Sequence, residues 1–162
     1  MRRLLVLVCL LACVLTATAC GGSKKSPQDL LAAFCAAYGD MPAGHVYCSG
    51  RAEWEDGYLS PALSDSLFLQ DNGENAFSLC RTYAILLATG FEGGEIAILS
   101  CAGSEDAARV AEMCSARIRR VKQARPQADV VQNACVLRSG STVVLLMLPD
   151  NNRAKDIAER LL

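Results

Sequence analysis

An unbroken apolar run over residues 4–15 opens the chain, and small residues carry it on to Cys20. A polar stretch over 21–27 separates it from the next pattern. Within 28–38, Leu30, Leu31, Phe34 and Tyr38 recur at i, i+1, i+4 and i+8, which predicts a short helix that Gly39 stops. From 39 to 78 no period persists; Gly, Pro, Ser, Asn and Asp are frequent, and only 61–69 suggests a helical turn or two. Then the pattern sharpens. Residues 83–88 and 95–101 are apolar runs joined by a Gly-rich connection, 89–94, and predict a hairpin. Ser104 reads as an N-cap, with Glu105 and Asp106 in the first turn of the helix it opens. Ala107, Ala111, Cys114, Ile118 and Val121 form the apolar stripe of that helix. Pro126 is expected to start a short helix over 127–134. Residues 135–138 and 142–148 predict a second hairpin, which 149–151 breaks, and Ala154, Ile157, Ala158 and Leu161 mark a terminal helix.

The order from residue 82 is thus β-β-α-α-β-β-α, an α+β class. Two ββα units imply a two-layer sandwich: one antiparallel sheet of about four strands, with amphipathic helices on a single face, after an N-terminal helix. The expected segments are a leader over 1–19, a flexible tether over 20–28, the helix and irregular acidic stretch over 29–79, and the α+β core domain over 80–162.

The opening run then acquires a meaning. Arg2 and Arg3 precede it and Ala17-Thr18-Ala19 follow it, as in a secretory signal. Cys20 directly after Ala19 specifies a lipoprotein signal, in which the cysteine thiol takes a diacylglyceryl group before cleavage. Ala19 suits that site, Thr18 is tolerable, and Ala17 stands where leucine is preferred. The alternatives are an ordinary signal cut after Ala19, or an uncleaved anchor helix. The 17 residues from 4 to Cys20 fall slightly short of the ~20 that span a bilayer. Gly21-Gly22-Ser23-Lys24-Lys25 then reads as a tether. Two or more acyl chains, palmitate among them, hold a protein stably at a membrane, where one is marginal. The expected location is the extracytoplasmic face of a cell membrane. The leader takes two of the 16 basic residues and none of the 17 acids, so the mature chain carries a net charge of −3. That balance supplies no basic face for nucleic acid.

Six cysteines lie beyond Cys20: Cys35, Cys48, Cys80, Cys101, Cys114 and Cys135. An even number outside the membrane permits three disulfides in any of ~15 pairings. Buried free thiols acting as small apolar side chains are the competing reading. No two are spaced Cys-x-x-Cys and His45 is the single histidine, so no metal site, redox motif or cofactor is expected.

Several short motifs together resemble a known family. They are Glu95-Ile96-Ala97-Ile98-Leu99, the helix end Ser115-Ala116-Arg117-Ile118-Arg119-Arg120, Pro126, Asn133-Ala134-Cys135-Val136, and Gly140 with Thr142-Val143-Val144-Leu145-Leu146. The chain resembles, over about 80–162, the bacterial lipoproteins bearing the domain of unknown function 4358. The resemblance implies a lipoprotein leader and an α+β domain; it implies no activity. The cysteines are no part of that family pattern.

Candidate chemistry is sparse. His45 has no partner near it in sequence, and no serine lies in a Gly-x-Ser-x-Gly setting. Residues 71–75 carry oxygen ligands but miss the spacing of a calcium loop. Trp54, among Glu53, Glu55 and Asp56 and near Tyr58, is the binding candidate, because an aromatic beside carboxylates can stack on a sugar or catch a cation; it can equally fold over the sheet edge. Arg117, Arg119, Arg120, Lys122 and Arg125 form a basic helix end that suits either the helix dipole or an anionic partner such as a headgroup. The expected function is a membrane-tethered, non-catalytic module that binds an envelope protein or a small ligand. The alternative is a tethered envelope hydrolase using carboxylates of 39–78, which requires two acids converging in one cleft.

Overall fold

The computed structural model describes residues 25–70, 72–89 and 93–162. The leader, Cys20, the start of the tether, Asp71 and the middle of the 89–94 connection lie outside the described residues. Among the described residues nine elements of regular secondary structure and two short turns of 3-10 helix follow one another, beginning with helix α1 (Pro27–Tyr38), strand β1 (Gly44–Cys48) and helix α2 (Pro61–Phe68). A 3-10 turn (Ala76–Leu79) leads into strands β2 (Cys80–Ala88) and β3 (Glu95–Cys101), then helix α3 (Ser104–Ala124). A second 3-10 turn (Asp129–Val131) precedes strands β4 (Cys135–Ser139) and β5 (Thr142–Met147) and helix α4 (Asn151–Leu161).

The class is α+β, as the pattern implies. All five strands pair antiparallel in the order β1-β2-β3-β5-β4, so β3 is central. Side chains alternate across a strand, and here both sets are buried. Ile85, Ala97, Leu99, Val143 and Leu145 pack with Val110, Met113 and Cys114 of α3 and with Leu67 and Phe68 of α2. The intervening residues Ala84, Leu86, Ile96, Ile98, Val144 and Leu146 pack with Leu30 and Phe34 of α1 and with Ala154 and Ile157 of α4. The helices therefore divide between the two faces of the sheet, α2 and α3 on one and α1 and α4 on the other. Strands buried on both sides read as continuous apolar runs, and such a run carries no sign of which face a helix covers.

The remaining differences from expectation have local causes. Strand β1 falls in a stretch that shows no period, because it is an edge strand whose first three residues are exposed. Its register is set by β2, with Val46 opposite Leu86. Only glycine fits at its start: a Cβ on Gly44 would run into the carbonyl of Leu87. Helix α1 starts at Pro27, held by a reciprocal cap between Ser26 and Asp29. Helix α3 is capped by the extended Gly103 with no side-chain bond, so Ser104 is its first residue and not its cap. Its buried stripe is Ala107, Val110, Met113 and Cys114, with Ala111, Ile118 and Val121 only partly buried.

The helix expected over 127–134 is reduced to its 3-10 turn. Asn151, 3% exposed, accounts for this. Its Nδ2 donates to the carbonyls of Val130 (2.9 Å) and Gln132 (2.7 Å), and its Oδ1 accepts the Leu148 N–H (2.9 Å). A carbonyl turned toward Asn151 is withdrawn from a helical ladder. Asn133 completes the exit at φ 55°. Asp150, as expected from the break at 149–151, caps α4 by accepting the Arg153 N–H at 3.0 Å.

Leu99 lies in the central strand and is fully buried. Leu99→Ala should cost about 3 kcal/mol, the transfer term plus a residual cavity, read as a lowered midpoint in chemical denaturation. Asn151→Ala strands two buried backbone groups and a third that is partly buried, and should cost about 2–4 kcal/mol, a loss larger than that from the exposed neighbour Asn152→Ala.

Candidate functional site

Glu95 opens β3 and shares its parity with Ala97 and Leu99, so its side chain projects beneath α3. It is 2% exposed, one of three buried polar residues among those described. The stripe of α3 changes character above it. Toward the N-terminus it is apolar; one turn beyond Cys114 it becomes Arg117 and then Arg120, three residues apart and on the same side of the helix. Arg117 Nε donates to Glu95 Oε2 at 3.1 Å. Arg120 donates through a terminal nitrogen to the Leu67 carbonyl of α2. Each residue keeps one buried polar atom without a hydrogen-bond partner among the described residues: Glu95 Oε1 and Arg120 Nε.

These groups form one side of a cleft of about 460 Å³ at the hairpin end of β2 and β3. Leu67, Leu87, Val121, Val130 and Met147 supply apolar walls, and Arg125 adds a third guanidinium. Gly93 and Gly94 line the same edge at φ 71° and 146°, where a side chain is disfavoured and the backbone stays bare. Asn151 anchors the Val130 wall to the end of β5. Burial raises the Glu95 carboxyl above the ordinary carboxylate range, and Arg117, with Arg120 behind it, pulls back against that rise. Among the described lining residues Arg117 and Arg120 both stand by the single Glu95 carboxylate, a balance that favours an anion with an apolar body.

The candidates read from the sequence mostly lie elsewhere. Trp54 is 88% exposed in the turn after β1, with Tyr58 half-buried close by in sequence; neither lines the cleft. Trp54 thus stands out from the sheet edge, and the neighbouring Glu55 carboxylate is engaged in closing its own turn through the Ala52 N–H at 2.7 Å. His45 is exposed on β1 with its ring tilted against Tyr47. The six described acids of 39–78 are all exposed, and none belongs to the cleft. Asn72 and Glu74 bond to one another, and no cluster of three or more metal-ligating side chains occurs among the described residues. The basic helix end splits: Arg117 and Arg120 turn inward while Arg119 and Lys122 stay exposed. Glu95 is the group that pattern reading passes over, although an acid heading an apolar strand is its one sequence signal.

The six cysteines among the described residues are all free. Compared with family models, with curated proteins and with solved structures, the chain finds no match. None of these comparisons bears on the resemblance to the lipoproteins with the domain of unknown function 4358.

Removing Arg117 leaves the Glu95 charge buried and unpaired. Arg117→Ala should cost about 3 kcal/mol, the low end for breaking a buried pair because 22% of the Arg117 side chain reaches solvent. The pH dependence has a definite sign. A carboxyl with a raised folded-state pKa holds its proton more tightly folded than unfolded, so its contribution to stability falls as pH climbs from the ordinary carboxylate range through the raised value. The melting-temperature difference between wild type and Glu95→Gln should therefore shift against wild type as pH rises above the ordinary carboxylate range; a difference that stays constant with pH would show that Glu95 does not titrate.

Proposed function

We propose that the protein is a lipoprotein, held at the extracytoplasmic face of a cell membrane by acyl chains on Cys20. In this reading the domain is a non-catalytic binding module whose working element is the Glu95–Arg117–Arg120 cleft. The leader pattern and Cys20 support the tether. No helix among the described residues is long and apolar enough to cross a membrane, so the domain itself offers no helical span. The observation that carries the binding role is the convergence of a buried carboxylate and two partly buried guanidiniums on a concave, largely apolar site of about 460 Å³, a size that accommodates small ligands. Its ligand class is a small anion, carboxylate or phosphate, with an apolar portion for the Leu87, Val121 and Met147 walls. Arg120 would receive the anion, because its Nε has no partner among the described residues and its terminal nitrogen is already fixed on Leu67.

Two measurements test this reading. Cys20→Ser should move the protein from the membrane fraction to the soluble extracytoplasmic fraction of expressing cells; an unchanged distribution removes the tether. For the cleft, hexanoate is the probe and hexanol its uncharged control. Hexanoate should raise the melting temperature saturably and hexanol should not, and Arg120→Gln should weaken hexanoate at least ~10-fold, the loss of one charge-assisted bond. Equal responses to the acid and the alcohol would show that the cleft does not select anions.

A further inference from the structure

A second constellation lies at the opposite end of the β2–β3 hairpin. Cys80 starts β2 and Cys101 ends β3, and the two stand directly opposite each other in the antiparallel ladder. Cα atoms so placed are ~4.5–5.5 Å apart, within the span a disulfide bridges. Both side chains are on the α3 face: Cys101 belongs to the core cluster there and Cys80 packs against it. A register shift at Arg81 sits beside the pair and loosens this end of the ladder. Cys114 of α3 lies in the same cluster and completes a group of three thiols on that face. Cys35, Cys48 and Cys135 are on the other face, among the residues that pack with α1 and α4.

We propose that Cys80 and Cys101 are a disulfide-forming pair, oxidised by thiol–disulfide exchange with a small disulfide, which closes the open end of the β2–β3 hairpin. Two thiols give up two protons and two electrons to the oxidant: one S–S bond forms between Cys80 and Cys101, the oxidant's S–S bond breaks, and two molecules of its thiol leave. Burial pushes both thiols up, so few thiolates exist at neutral pH and the exchange accelerates as pH rises. The bond would enclose the 22 residues from 80 to 101, a loop long enough for the cross-link to restrict the unfolded chain appreciably. The cleft is at the other end of the same hairpin, so the disulfide would stabilise the sheet without entering the binding site. The proposal stands apart from the tether and the ligand.

The test uses the full chain, oxidised with glutathione disulfide at pH 8, alkylated under denaturing conditions without reductant, and digested with trypsin. Cleavage after Arg51, Arg81, Arg109 and Arg117 puts Cys80, Cys101 and Cys114 on three separate peptides. The expected product joins the 52–81 and 82–109 peptides, forms faster at pH 8 than at pH 6, and raises the melting temperature by about 10 °C. Cys114→Ala should keep the linked peptide, and Cys101→Ala should lose both the link and the rise. Alkylation of Cys80 and Cys101 on their separate peptides would overturn the proposal, as would a link from either of them to Cys114. Binding of hexanoate, measured before and after oxidation, reports on the cleft separately.

Discussion

The constraint on which the molecule depends is burial of the central strands on both faces. Strands β3 and β5 have almost no side chain in contact with water, so their backbone bonds and both sets of side chains must be satisfied within the protein. The sheet supplies the first through its antiparallel ladders. The four described helices supply the second, two to a face. A sheet in this position tolerates few polar side chains, and each one present calls for a local reason. At Asn151 the reason is visible, since it bonds three backbone groups and ties the Val130 segment to the end of β5.

Glu95 is the harder case. Taking a carboxylate out of water costs several kcal/mol, and a paired guanidinium recovers that only with good geometry and full hydrogen bonding. Here the recovery is partial. Arg117 satisfies one oxygen, the other has no partner among the described residues, and Arg120 Nε is in the same state. An apolar residue at this position would suit the core better, because Ala97 and Leu99 on the same face are fully buried among hydrophobic neighbours. It is on this incomplete network beside an open cleft that the proposed binding role rests.

Much of this was legible in the sequence, and the physical reasons for success and failure are the same. The long apolar runs of β2, β3 and β5 made the hairpins plain because both faces are buried. That same double burial erased the alternation that would have assigned the faces, and helices expected on one side divide between two. Strand β1 could not be read because it contributes an edge and little core. The basic run of α3 was visible as a helix end, but the three-residue spacing of Arg117 and Arg120 gains its meaning only from the Glu95 carboxylate 22 positions earlier in the chain. Local pattern cannot report such a long-range pairing. Trp54 drew notice as an aromatic among acids, whereas the cleft is built from residues that looked like a strand boundary and a solvated helix end.

The two ends of the β2–β3 hairpin divide the chemistry of the domain. At the turn end, bare glycines, an open cleft and unsatisfied charged atoms leave the structure receptive. At the other end, paired thiols at the register shift can be closed by one covalent bond. Antiparallel pairing over seven registered positions makes the hairpin stiff between them, so tightening one end limits how far the strands can splay at the other. A hairpin fixed at its base presents Leu87, Gly94 and Glu95 in a constant arrangement. A cleft that depends on a buried ion pair needs that constancy, because the Coulomb gain that offsets the desolvation of Glu95 declines as the distance to Arg117 grows.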